Sequence, residues 1–131
     1  MIQNSQMYKK GGIFDLFSKS KIVDTFPEEN KDYITLLTQA ERNLKELEKD
    51  YPLDIKLPHG QLSSIIKQGN YITNKVRRDI ELRSIASFVN DFHKHVEEIR
   101  SITQNEMLKS ELAKCEKLVN EYLAFIDRNS L

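Results

Sequence analysis

The chain has 131 residues, 39% of them hydrophobic, and its 20 Lys and Arg balance 20 Asp and Glu, so it carries no net charge. That length suits one domain with a modest core. The balance argues against the strong basic excess of a dedicated nucleic-acid binder and against a net field that would steer the protein onto an anionic surface. Only three prolines and four glycines interrupt the sequence, a composition that favours helices.

Residues 1–10 are polar and Gly11-Gly12 follow as a joint, which reads as a flexible N-terminal arm over 1–11 ahead of a single helical domain over 12–131. MIQNSQMYKKGG lacks the apolar run of a signal peptide. With Cys115 as the only cysteine, no internal disulfide can form. Both features suit a reducing, cytoplasmic setting. GGIFDLFSKSKIV follows, and Ile13, Phe14, Leu16 and Phe17 could line two helical turns, so a short helix is expected over about 12–18. The order Gly-apolar-Phe-Asp-apolar-apolar resembles the start of short amphibian membrane-active peptides. That resemblance implies weak membrane-surface contact through residues 11–23, although Asp15 offsets one lysine and one short apolar face anchors poorly by itself.

A helix over about 27–50 is announced by the capping-box spacing of Thr25 and Glu28 and by Pro27 in the first turn. Tyr33, Leu37, Ala40, Leu44, Leu47 and Tyr51 recur at steps of three and four, a seam for another helix. Pro52 and Pro58 bracket a connector in which Leu53, Ile55 and Leu57 alternate with charges, the pattern of an extended piece.

From Gln61 the helical period resumes and predicts one long central helix over about 61–103, about 60 Å if unbroken. Leu62, Ile65, Ile66, Ile72, Val76 and Ile80 form its first stripe, and Ile85, Val89, Phe92, Val96, Ile99 and Ile102 its second. Gly69 is the weak point, where a break would give a compact four-helix bundle instead. Thr103 and Glu106 have capping-box spacing again, so a turn near 101–105 should precede a last helix over about 105–128. Its seam is Leu108, Leu112, Cys115, Val119, Tyr122 and Ile126. The expected fold is therefore all-α, an antiparallel helical bundle.

Little in the sequence points to chemistry. His93 and Glu97, or Asp91 and His95, have the four-residue spacing that can share a metal, but either pair needs further ligands. The Arg-polar-x-x-x-His motif of HEPN-type ribonucleases is absent, although Asn90-Asp91-Phe92-His93 is similar to its middle. Lys75, Arg77 and Arg78, with Arg83 beyond, form the densest basic cluster. They would be the residues of a nucleic-acid-binding or nuclease reading, but no stacking aromatics accompany them. No cofactor motif is present.

The remaining signal is apolar surplus. A three-helix arrangement leaves Leu36, Phe88, Leu118, Leu123 and Phe125 uncovered, and exposed contiguous apolar area marks an interface. The expectation is a non-enzymatic interaction module of adaptor, immunity or regulatory type. It would bind another protein, or a second copy as a homodimer, through Ile13, Phe14, Leu16, Phe17, Phe88, Leu118 and Phe125.

Overall fold

The structure, a computed structural model, describes residues 24–51 and 55–130, leaving aside the side chain of Lys75. The expected arm over 1–11, the expected helix over 12–18 and the contacts assigned to Ile13, Phe14, Leu16 and Phe17 lie outside the described residues. Among the described residues four helices form: α1 (Phe26–Glu48), α2 (His59–Asn70), α3 (Lys75–Ile102) and α4 (Glu106–Arg128). The all-α bundle expected from the periodicity is what the described residues build.

The long central helix is a correction. It is two helices, α2 and α3, and the break falls at residues 71–74 rather than at Gly69. The Tyr71 and Ile72 amides return to the last carbonyls of α2. Asn74 then adopts an extended backbone, and its side chain accepts from the Arg77 amide at 3.0 Å. Asparagine at an N-cap satisfies a donor that the first helical turn leaves unpaired. Two other caps also differ from the capping-box reading. The Thr25 side chain makes no cap bond, and Asp24 Oδ1 accepts from the Phe26 amide instead. At α4 the cap is Asn105, which accepts from the Leu108 amide, while Thr103 Oγ1 braces the turn by accepting from the Asn105 amide.

Each helix packs antiparallel on its chain neighbour, and α4 closes back on α1 through the least extensive of the four interfaces. The core is the α4 seam, Leu108, Leu112, Cys115, Val119, Tyr122 and Ile126, packed with Leu37 and Leu44 of α1, Leu62 and Ile65 of α2, and Ile85, Val89, Phe92, Val96 and Ile99 of α3. Val76 and Ile80 point to solvent. Breaking the helix before Lys75 resets the phase that had put them on the buried stripe.

Two polar devices fix the register. Asn30 of α1 is buried between α2 and α4: its amide donates to the Gly69 carbonyl at 3.1 Å, and its oxygen accepts from the Tyr122 hydroxyl at 2.6 Å. Gly69 is required there by proximity, because an added Cβ would overlap the Tyr122 hydroxyl and lie 2.8 Å from Ile34 Cδ1. At the other end of α1, Glu48 accepts from the Leu57 amide at 2.7 Å and faces the His59 ring at 3.2 Å. The Leu57 N–H, more than the histidine, holds the Glu48 carboxyl below its ordinary range.

Arg78, expected in an exposed basic cluster, is inside. It is 1% exposed, its guanidinium carbon lies 4.0 Å from the centroid of the Phe26 ring, and it donates to Asp24 at 2.5 Å and to the Asn129 carbonyl at 3.2 Å. Its Nε has no hydrogen-bond partner among the described residues. Arg77 is taken up by Glu81 one turn away. Arg78→Ala is expected to cost about 2–4 kcal/mol in a urea titration, mainly through the packing lost beneath Phe26. Arg78→Lys should keep only part of it, because an ammonium cannot stack and fork as a guanidinium does. An unchanged midpoint in both variants would remove Arg78 from the core.

Candidate docking surface

The thin α1–α4 interface follows from where the two helices keep bulky partners. At the N-terminal end of α1 they are clamped by aromatic rings. Phe26 stacks on Phe125 at 4.7 Å between centroids, and Tyr33 lies 4.9 Å from Phe125 and 5.5 Å from Tyr122. Beyond Tyr33 the facing side chains are smaller, Ala40 on α1 and Cys115 on α4, and the helices leave a groove of about 170 Å³ between them.

The groove has two apolar rails at helical spacing. Leu36, Ala40, Leu44 and Leu47 come from α1, and Cys115 and Leu118 from α4. Leu36 is 53% exposed at its edge. The rim is polar and pairs with itself, Gln39 with Asn43 at 3.2 Å and Lys114 with Glu111 at 3.1 Å. It therefore offers few unpaired groups to a polar ligand, while the floor offers apolar contact. The volume is below that of ordinary small-molecule pockets and suits a few inserted side chains.

Cys115 lies in the floor, 7% exposed, and burial, then Glu111 and Glu116, push its thiol up to about 11. A thiol raised from 9.0 to about 11 holds roughly a hundredfold less thiolate near pH 8. Iodoacetamide should therefore modify the folded chain at least that much more slowly than the urea-unfolded one, and equal rates would contradict the placement. The shift also sets a sign for stability. Because the unfolded thiol ionises first, stability is full below its ordinary range and falls as pH rises from about 9 toward 11.

The expected site residues are dispersed. Leu118 lines the groove, and Phe88 is half-buried against the core. Phe125 is a correction: it is 2% exposed, within the aromatic clamp, and presents no surface. The missed contributors are Ala40, Leu44, Leu47 and Cys115, read only as seam residues. The histidines do not gather a metal site. His93 lies between Glu116 and Asn120, and His95 between Gln61 and the Lys56 carbonyl. Glu97 pairs with Arg100. No group of three or more His, Cys, Asp or Glu among the described residues is placed to hold a metal. No helix among them is long and apolar enough to cross a membrane.

Other exposed apolar residues, Tyr71, Val76, Ile80, Ile102 and Met107, stand at helix ends or on the exposed face of α3. Scattered exposure of that kind is normal for a folded surface. No family model, curated protein or solved structure matches the chain.

Proposed function

We propose that this protein is a non-enzymatic interaction module whose α1–α4 groove receives an amphipathic helix of another protein. One observation carries the reading: two rails of apolar side chains, spaced at helical intervals on neighbouring helices, flank an open seam with a self-paired polar rim. A third helix laid along such a seam inserts its i, i+3, i+4 and i+7 side chains between the rails. An adaptor, an immunity protein or a regulator would use the surface in the same way. The nucleic-acid reading loses support, because Arg78 is enclosed and Arg77 is paired. A variant with Arg77→Glu and Arg78→Glu would report on folding rather than on phosphate binding.

Light scattering on the purified full chain at tens of micromolar tests the choice of partner. The reading requires a particle at the chain mass of 15.4 kDa. Twice that mass, returning to the single value on Leu36→Asp, would mean that a second copy fills the groove and would overturn it.

A further inference from the structure

We infer that the seam between α3 and α4 holds a second binding site, one that takes a small organic oxyanion with an apolar body. The site shares no residue with the α1–α4 groove and stands independently of the docking reading. It is an open cleft of about 650 Å³, and its polar lining is Arg83, Ser87, Asn90 and His93 of α3 and Asn120 of α4. That size falls within the range of small-molecule sites. Arg83, Ser87 and Asn90 follow at steps of four and three, so they form one ridge of α3.

The chemistry of the cleft favours an anion. Arg83 is the one arginine of α3 without an ion pair among the described residues, because Arg77 is held by Glu81, Arg78 by Asp24 and Arg100 by Glu97 and Glu116. None of the lining side chains is a carboxylate. Glu116, the acid that His93 touches, is taken up by Nδ1 of that ring at 2.7 Å and by Arg100. The other ring nitrogen, Nε2, donates to Asn120 Oδ1 at 2.8 Å. That bond occupies the amide oxygen of Asn120 and leaves its nitrogen to donate. Ser87 and Asn90 are exposed, and their side chains make no hydrogen bond among the described residues. A guanidinium beside three neutral donors, with no acid in the lining to compete, matches the acceptor-only surface of a phosphate or carboxylate.

The body of the ligand has its own place. A recess of about 360 Å³ adjoins the cleft, sharing Ala86, Asn120 and Leu123 with it and adding Leu82 and Ala124. Alanines line it from both helices, where larger side chains would close the seam. Asp127 is its one acid, so the charge of a ligand belongs in the cleft with Arg83. The uncharged body belongs in the recess over Leu82 and Leu123, where apolar burial adds to affinity. A bare inorganic anion would use only the first of these halves.

Nuclear magnetic resonance on the full chain, labelled with nitrogen-15, tests the site. The probes are 1-naphthyl phosphate, 1-naphthoate and inorganic phosphate, each titrated into the millimolar range. At least one naphthyl anion should shift the signals of Ser87, Asn90 and Asn120 along one saturable curve, and the tighter of the two identifies the preferred head. Arg83→Ala should weaken that binding about tenfold or more. Lys67→Ala, which removes the same charge from an exposed position on α2, should leave it unchanged. Ala124→Leu, which fills the recess, should weaken the naphthyl anions and not inorganic phosphate. Arg83 and Ala124 are both exposed, and the dispersion of each spectrum checks that the variant folds. The absence of a saturable shift with either naphthyl anion would overturn the inference. So would equal losses in Arg83→Ala and Lys67→Ala, or inorganic phosphate binding as tightly as the naphthyl anions. Shifts centred on Leu36 and Leu118 would also overturn it, by assigning the anion to the α1–α4 groove.

Discussion

Gly69→Ala is expected to destabilise the protein by about 2–4 kcal/mol, although alanine is the better helix former by about 1 kcal/mol. The glycine lies in the last turn of α2 against the buried Tyr122 ring, and Ile34 crowds the same position. A methyl group cannot enter unless the tyrosine moves, and Tyr122 is not free to move. It is fully buried, it donates to Asn30, and its phenol is pushed above its ordinary range by burial. Moving it breaks the clasp of α1, α2 and α4 and leaves a buried acceptor on Asn30 unpaired. Tyr122→Phe alone should cost about 1–3 kcal/mol for that orphaned oxygen. Combined with Gly69→Ala it should cost clearly less than the sum, because the hydroxyl that the methyl would strike is gone and the ring carbon behind it is 3.2 Å away. Additive costs in the double-mutant cycle would show that the hydroxyl is not what excludes alanine.

Phe125→Ala should be the most damaging single truncation, at about 3–5 kcal/mol in a denaturant titration. Phe125 stacks on Phe26 with 7° between the ring planes and also packs on Tyr33 and Tyr122, so its loss empties the clamp that joins α1 to α4. Phe125→Leu, which keeps most of the volume, should cost markedly less. A partner-facing phenylalanine, as the sequence suggested, would leave the unfolding midpoint unchanged under both substitutions.

That difference illustrates what was legible beforehand. The α4 seam could be read in full, since Leu108 to Ile126 recur with one helical period and all six positions are buried. The second stripe of α3 was legible from Ile85 to Ile99 for the same reason. Val76 and Ile80 were misplaced because a hydrophobic period was carried through residues 71–74, where Asn74 as a cap offered the competing local signal. Arg78 was illegible. Burying a guanidinium needs a ring and two acceptors, and they come from Asp24 and Phe26 at one end of the chain and from Asn129 at the other. The groove was legible only in its parts. Leu36 and Leu118 stood out as surplus, but whether two helices close or part along a seam depends on the bulk of side chains facing across it. The large rings at Phe26, Tyr33, Tyr122 and Phe125 and the small Ala40 and Cys115 belong to helices far apart in sequence.

The measurement that addresses the working surface most directly is site-specific photo-cross-linking in the cells that express the protein. A benzophenone side chain is placed at Leu36, at Leu118 or at Val76, in turn, in the full chain. The account predicts that one and the same foreign protein is captured from Leu36 and Leu118 and not from Val76 on the outer side of α3. Capture from Val76 alone, or no adduct from either rail of the groove, would contradict it.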